Sequence, residues 1–145
     1  MSAKKILLIE DSADDIELTV LAMKKSNILN EMVIARDGLE ALDYLHARGD
    51  YTDRNPEELP ALILLDLQLP KLSGIEVLKQ LRAEEKFKLI PVVVLTSSNE
   101  EKDRLNGYNF GANSYIQKPV DFMQFVSAVQ QVGLYWMVLN VNPPD

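Results

Sequence analysis

Five polar residues of this sequence each follow a short apolar run, and their types suit chemistry on a phosphoryl group. Glu10 and Asp11 follow KILLI, Asp66 follows ALILL, Thr96 follows PVVVL, and Lys118 follows SYIQ. Three carboxylates held together repel one another unless a cation neutralises them, and oxygen ligands without His or Cys favour Mg2+ or Mn2+. A lysine and a hydroxyl group beside such a cation could hold phosphoryl oxygens, with Asp66 as the attacking nucleophile.

The apolar runs and the segments between them predict alternating strands and helices. Strands are predicted at 5–9, 32–35, 61–65, 91–95 and 114–117. The first, third and fourth lack polar alternation, as expected for strands covered on both faces. Helical spacing of apolar residues predicts helices within 16–23, 39–45, 75–81 and 122–132, and a weaker one at 100–110. Residues of N-cap type precede helical segments at Asp37, Ser73, Asn99 and Asp121.

This alternation predicts one α/β domain over residues 1–145, with 134–145 as an apolar C-terminal extension. A βα unit repeated five times implies a parallel sheet with helices on both faces. Reactive groups gather at the carboxyl ends of such strands, so polar residues that are far apart in the sequence should meet there. The segment 46–60 is predicted to be a polar surface loop, with His46 as a surface residue at a helix end.

Composition narrows the classes of function. The chain has 145 residues, 47% hydrophobic and 26% charged, with a net charge of -7. An acidic chain lacks the excess of Lys and Arg that neutralises phosphates, so nucleic acid is not expected as a partner. No cysteine is present, which excludes disulfides and thiolate chemistry within the sequence. The first apolar run ends at Glu10, too soon for a signal peptide or a membrane span, so we expect a cytoplasmic protein without membrane contact.

Four motifs, in order and at compatible spacing, resemble the receiver domain of two-component response regulators. They are Glu10-Asp11 after the first strand, Asp66 in LLDLQLPKLSG, Thr96 in VVVLTSS, and Lys118-Pro119 in YIQKP. The likeness covers nearly the whole chain. It implies a flavodoxin-like, doubly wound (βα)5 fold with five parallel strands in the order 2-1-3-4-5.

The resemblance also implies a role for each residue of the metal site. Asp66 would accept a phosphoryl group from a histidine kinase. Mg2+, with Mn2+ as an alternative, would bind Asp11, Asp66 and the backbone carbonyl of Gln68, while Glu10 would act through water. Such a receiver catalyses only its own phosphorylation and dephosphorylation, so it is not an enzyme with a separate substrate.

The remaining motifs imply a switch. Lys118 would pair with a phosphoryl oxygen, the Lys118-Pro119 peptide bond would be cis, and Thr96 would turn its hydroxyl toward the phosphoryl group. Tyr115 lies at the position of the family's aromatic switch. One departure from the commonest pattern is Ser97, where Ala or Gly is usual.

Two alternatives stay open at this point. A phosphatase of the haloacid-dehalogenase kind also uses a strand-end Asp, Mg2+, Thr and Lys, but its DxD pattern needs a second Asp as general acid. Here that position is Gln68, which has no proton to donate. The other alternative is an interaction module that binds no metal.

The segment after Gly133 is more apolar than a solvent-exposed end should be. Its apolar residues include Leu134, Tyr135, Trp136, Met137 and Leu139. Contiguous exposed apolar patches usually mark interfaces, so we expect a homodimer formed through this segment. The alternative is that Trp136 packs as a last helical turn and its neighbours are simply exposed.

This tail and the loop before the third strand also resemble the small response regulators that are paired with bacterial and cyanobacterial phytochrome kinases. The resemblance implies a light-regulated histidine kinase as phosphodonor and a symmetric dimer as the assembly. Receivers dock their kinase near the first helix, which implies contacts by Ile16, Leu18 and the loop after Lys118.

Overall fold

The computed structural model describes residues 4–97 and 111–131. The strands are β1 (Ile6–Ile9), β2 (Met32–Ala35), β3 (Leu62–Asp66), β4 (Val92–Thr96) and β5 (Ser114–Gln117). The helices are α1 (Ala13–Lys25), α2 (Gly38–His46), α3 (Gly74–Ala83) and α4 (Phe122–Gln131), with a short 3-10 helix at Gly49–Tyr51. The helix predicted at 100–110 and the N-cap predicted at Asn99 lie outside the described residues.

All five strands are parallel and form one sheet in the order β2-β1-β3-β4-β5. This confirms the fold class and the strand order expected from the sequence. Strand order reverses at β1, which has β2 on one side and β3 on the other. The carboxyl ends of β1 and β3 are therefore the place where a ligand site is expected.

The sheet is buried on both faces. Successive residues of a strand point to opposite sides, so β1 sends Ile6 and Leu8 into one apolar cluster and Leu7 and Ile9 into another. One cluster joins the sheet to α1 and α4, and the other joins it to α2 and α3. Full burial of one such side chain contributes about 1.5–3 kcal/mol. Burial on both faces explains why β1, β3 and β4 show no polar alternation. The packed sheet also holds the residues at the strand ends in place.

N-caps fix where the helices begin after the sheet. Asp37 and Ser73 accept backbone N–H groups three residues ahead, and the Asp121 carboxylate accepts the N–H of Gln124 at 2.9 Å. These three predicted caps are confirmed. Ser12 caps α1 in the same way and was missed by the sequence analysis. Because a cap satisfies an otherwise unpaired N–H, it sets the turn between a strand end and the next helix.

Most residues of the segment 46–60 are exposed, as predicted for a surface loop, and side-chain contacts order part of it. The Arg54 guanidinium lies 4.0 Å from the centre of the Tyr44 ring and donates to the carbonyl oxygen of Tyr44. Tyr51 packs edge-on against Tyr44, with ring centres 5.3 Å apart. His46 is the last residue of α2, as predicted, and its partly exposed ring packs edge-on against Phe87. The prediction of a polar surface loop therefore holds for most of the segment, and the structure adds contacts in which a guanidinium plane and aromatic rings bury their apolar faces while their polar groups stay paired.

Arg82 of α3 fixes the segment that enters β5. Its guanidinium donates to the carbonyl oxygens of Gly111 at 2.9 Å and Ile90 at 2.8 Å, and to Asn113 Oδ1 at 3.0 Å. Burial lowers the pKa of Arg82, and these acceptors stabilise its charge. Within the described residues, no helix is both long and apolar enough to cross a membrane.

Candidate functional site

Three carboxylates meet at the carboxyl edge of the sheet. Glu10 and Asp11 follow β1, and Asp66 is the last residue of β3. The two strands are neighbours, with Ile9 opposite Leu65, so the next residues along each strand lie side by side. One carboxylate oxygen from each acid lies within 4.8 Å of the others, and Glu10 and Asp66 are buried. Such a set of hard oxygen donors fits a divalent cation such as Mg2+ or Mn2+.

Lys118 enters the same site from the end of β5. Its Nζ lies 2.8 Å from Glu10 Oε1, 3.1 Å from Asp15 Oδ2 and 3.2 Å from Asp66 Oδ1. The backbone N–H of Lys118 donates to the carbonyl oxygen of Thr96 at 2.8 Å, which continues the ladder between β4 and β5. The Lys118-Pro119 peptide bond is cis, as the resemblance implied.

The charges of the site depend on one another. Burial raises the pKa of Glu10 from 4.5 to about 7, the hydrogen bond from Lys118 opposes this rise, and the nearby negative charge of Asp66 adds to it. Burial alone would lower the pKa of Lys118, but its hydrogen bond to Glu10 and its attraction to Asp66 outweigh burial and raise that pKa. Lys118 is therefore cationic at neutral pH. A divalent cation beside Glu10 would favour the ionised carboxylate.

The loop after β3 is held close to Asp66. The backbone N–H of Gln68 donates to Asp66 Oδ1 at 3.3 Å, so Gln68 lies beside the acid. The N–H of Gly74 donates to the carbonyl oxygen of Leu67 at 3.0 Å, which presses the start of α3 against the strand end. Lys71 Nζ lies 3.4 Å from Asp37 Oδ2 and ties this loop to the N-terminus of α2. Metal ligation by the Gln68 carbonyl stays a prediction.

The two predicted switch residues lie on neighbouring strands, with Thr96 at the carboxyl edge and Tyr115 opposite Val94. Thr96 is the last residue of β4, is buried, and stands opposite Gln117 of β5. Tyr115 lies in β5, two residues before Gln117. It is half-buried and packs against the apolar cluster on the α2 and α3 side of the sheet. Burial raises the pKa of the Tyr115 hydroxyl. The structure therefore brings Asp66, Thr96 and Lys118 to one end of the sheet, with Tyr115 three residues before Lys118.

Asp15 is the site residue that sequence reasoning missed. It lies in the first turn of α1, where its backbone N–H donates to Ser12 Oγ at 3.3 Å. The apolar pattern placed the helix only from Ile16 onward, so Asp15 looked like one more acid in an acidic turn. The available signal was the N-cap type of Ser12, which starts the helix early enough to direct Asp15 toward the strand ends.

One residue expected at a kinase-docking surface is not available for it. Ile16 is 8% exposed and belongs to the core beneath α1, because it lies on the face of the helix that meets the sheet. Leu18, on the outer side of α1, is 37% exposed. Phe122 and Met123, soon after Pro119, are also exposed. The expected interface residues at 134–139 lie outside the described part of the chain.

A family model described as the response regulator receiver domain matches residues 6–130. The chain belongs to this family. The assignment decides against the haloacid-dehalogenase family as the alternative. The receiver is 41% identical over 134 residues to the response regulator Rcp1 of Synechocystis sp., a match that covers 92% of this chain and 89% of Rcp1.

Solved structures give the same picture of the receiver. The bacteriophytochrome response regulator RtBRR superposes with a TM-score of 0.90 at 50% identity, over 99% of this chain and 86% of RtBRR. The Mn2+-bound form of Rcp1 has a TM-score of 0.74 at 39% identity, over 98% of this chain and 99% of Rcp1. The phosphorylated cyanobacterial phytochrome response regulator RcpA has a TM-score of 0.75 at 39% identity, over 96% and 99%.

Proposed function

We propose that this receiver is a phosphorylation switch in which Asp66 accepts a phosphoryl group from a histidine kinase. The observation that carries the proposal is the Lys118 ammonium, which lies 3.2 Å from Asp66 Oδ1 beside a cluster of three acids, two of them buried. An ammonium placed there can hold a phosphoryl oxygen while a neighbouring carboxylate oxygen attacks phosphorus.

The transfer is an exchange of one bond for another. A carboxylate oxygen of Asp66 forms a bond to phosphorus as the P–N bond of a phosphohistidine breaks. The bonding pair stays on the imidazole nitrogen, which takes up a proton, and the product is an aspartyl phosphate. Lys118 stabilises the charge on the transferred oxygens, and the Thr96 hydroxyl hydrogen-bonds to the group once it is in place.

Mg2+, or Mn2+ in its place, would be held by Glu10, Asp11, Asp66 and the Gln68 carbonyl, with Glu10 acting through water. The carboxylate oxygens of the three acids are close enough for this role, and burial of Glu10 raises the cost of leaving its charge uncompensated. The bound ion would neutralise charge on the phosphoryl oxygens during transfer. The existence of a Mn2+-bound form of the relative Rcp1 supports this role for a divalent ion.

The output of the switch is a changed surface around Thr96 and Tyr115. Attraction of the Thr96 hydroxyl to the phosphoryl group opens space into which the Tyr115 ring rotates. Complete reversal of such an equilibrium, from 1:99 to 99:1, needs about 5.5 kcal/mol of differential stabilisation. A phosphoryl group on Asp66 with new contacts from both Thr96 and Lys118 would be suited to supply it.

The proposed partners are a phytochrome-type histidine kinase and a second copy of the receiver. The names of RtBRR and RcpA, which associate these relatives with phytochromes, support the first. Kinase docking would use Leu18 of α1 and the loop after Lys118, and dimerisation would use residues 134–139. The receiver's acidic net charge of -7 supports a cytoplasmic protein that binds neither nucleic acid nor membrane.

Incubation with Mg2+ and acetyl phosphate tests the phosphoacceptor. Intact-mass measurement should show a gain of about 80 Da. Asp66→Asn should abolish the gain, whereas Asp53→Asn, at an exposed acid far along the α2–β3 connection, should keep it. A chain without the added mass would favour the module that binds no metal, and modification that survives Asp66→Asn would place the phosphoacceptor elsewhere.

The donor is tested with purified kinases from the same genome. A phytochrome kinase should transfer labelled phosphate to the receiver within minutes, at different rates in red and far-red light, and other histidine kinases should transfer more slowly. Equal transfer from every kinase would contradict the phytochrome assignment. Sedimentation of the full chain and of a chain ending at residue 133 tests dimerisation, because only the full chain should dimerise.

A further inference from the structure

The Lys118 ammonium has three acidic partners, and they are not equivalent. Among the described residues, the carboxylates within 4.0 Å of its Nζ belong to Glu10, Asp15 and Asp66. Glu10 and Asp66 also belong to the acidic cluster that could hold a metal. Within the described part of the chain, Asp15 lies outside that cluster. It is therefore the acidic partner of Lys118 that would not also bind the cation.

A divalent cation would change the balance of forces on Lys118. The cation attracts the carboxylates of Glu10 and Asp66, which weakens their attraction for Lys118. It also repels the ammonium because both are positive. Without Asp15, this repulsion would favour conformations in which the Lys118 side chain points out of the site. Its charge would then be absent when the phosphoryl oxygens need it. The Asp15 carboxylate, 3.1 Å from Nζ, would still attract the ammonium when the cation is bound.

Asp15 is held firmly enough for such a task. Its backbone N–H is capped by Ser12 Oγ, and its carbonyl oxygen accepts the Thr19 hydroxyl at 2.7 Å. The next residue, Ile16, is buried in the core, so this turn of α1 cannot rotate without exposing it. The Asp15 side chain is 25% exposed, so its ion pair with Lys118 is partly shielded from water.

We propose that Asp15 is a positioning residue that keeps the Lys118 ammonium beside Asp66 when the metal and the phosphodonor are bound. The proposal rests on the function proposed above and adds a residue to it. Asp15 touches neither the phosphoryl group nor the metal and acts through Lys118. Its effect is therefore on the rate of phosphoryl transfer and on the location of the ammonium, with little effect on metal affinity.

Asp14 provides a matched control for the test. It lies in the same turn, is exposed, and is not among the acids beside Lys118, so Asp14→Asn makes the same change of charge without touching the ion pair. With phosphoramidate and saturating Mg2+, Asp15→Asn should lower the rate of Asp66 phosphorylation about tenfold, because a displaced catalytic group loses rate steeply with distance. Asp14→Asn should stay within twofold of the wild type, and Asp15→Glu should recover part of the loss.

A double-mutant cycle separates positioning from general effects on the fold. In a Lys118→Gln background, Asp15→Asn should cause no further loss, because the group it positions is gone. The same tenfold loss in that background, or an equal loss in Asp14→Asn, would overturn the proposal. Thermal unfolding of each variant checks folding, and Asp15→Ser serves as a second variant if Asp15→Asn is unstable.

Two readouts distinguish this proposal from the function on which it rests. No phosphorylation of the wild type would refute both. Normal phosphorylation of the wild type and of Asp15→Asn alike would refute the role of Asp15 alone. Independently of phosphorylation, the side-chain 15N signal of Lys118 should remain protected from solvent when Mg2+ is added to the wild type, and should become exchange-broadened in Asp15→Asn. Equal protection in both proteins would also overturn the proposal.

Discussion

Replacing Gly74 with alanine should distort the strand end that carries Asp66. Gly74 begins α3, and its backbone N–H reaches back to the Leu67 carbonyl oxygen at 3.0 Å. A β-carbon at this position would lie 2.6 Å from Leu67 Cα and would also contact the Asp66 carbonyl oxygen. These atoms belong to the backbone, so they cannot turn aside as the end of a flexible side chain can.

The magnitude follows from the distance. Carbon atoms are most stable about 3.5–4.0 Å apart, so the start of α3 and the end of β3 must separate by about 1 Å. Overpacking of this kind lowers the free energy of unfolding by about 1–3 kcal/mol. The better helix propensity of alanine offsets up to about 1 kcal/mol of this loss. We expect a net loss of about 2 kcal/mol in the free energy of unfolding. A displacement of about 1 Å at a reacting group can also cost about a hundredfold in rate.

Urea denaturation and phosphorylation by acetyl phosphate should be measured on the same samples. Gly49→Ala is the control, because Gly49 has a φ of +61° and an added β-carbon there would meet the Asp43 side chain, far from the strand ends. It should lose about 1 kcal/mol of stability through its backbone conformation and keep the wild-type rate. Wild-type stability and rate in Gly74→Ala would refute the claim that the close approach of α3 positions Asp66.

Three further predictions concern charge and metal. In EDTA, the raised pKa of Glu10 contributes stability that is complete below pH 4.5 and is lost as the pH rises through about 7. The stability of the wild type relative to Glu10→Gln should therefore fall by about 2–3 kcal/mol from pH 5 to 8.5 in urea titrations, and a constant difference would contradict a buried, perturbed carboxyl. Mg2+ at a hundred times its Kd should stabilise the wild type by about 2.7 kcal/mol in thermal melts and Asp11→Asn by much less; equal shifts would mean that the ion binds elsewhere. Arg82→Lys should lose about 1–3 kcal/mol, because an ammonium cannot replace the donors that reach Gly111 and Ile90, whereas the exposed Arg48→Lys should lose under about 1 kcal/mol.

The strands were predicted well because their signal is local. A run of apolar residues is enough to indicate burial on both faces, and the parallel order follows from the alternation with helices. Two strands nevertheless extend one residue beyond the predicted end. Asp66 still pairs in register with Leu95, and Thr96 with Gln117, so the hydrogen-bonded ladder continues after the apolar run stops.

Two features of the structure depend on how side chains pack. Tyr44 and Arg54 are polar by type, yet ring and guanidinium stack and order the connection before β3. Ile16 was expected at a docking surface, but it recurs with Val20 and Met23 at helical spacing, and that face of α1 packs against the sheet. The local pattern contains the signal for the second feature but not for the first, which depends on the folding of the connection onto α2.

By itself the sequence determined the sheet, the order of its elements and the presence of acids, a hydroxyl and a lysine at the strand ends. Burial of apolar runs is encoded residue by residue along the chain, so these features can be read from it directly. Only the tertiary structure decided that Asp15, and not the adjacent Asp14, pairs with Lys118 across 103 residues of sequence. It also decided that the pKa of Glu10 lies near 7. Both depend on distances among side chains from β1, α1, β3 and β5, because burial and Coulomb interactions act through space rather than along the chain.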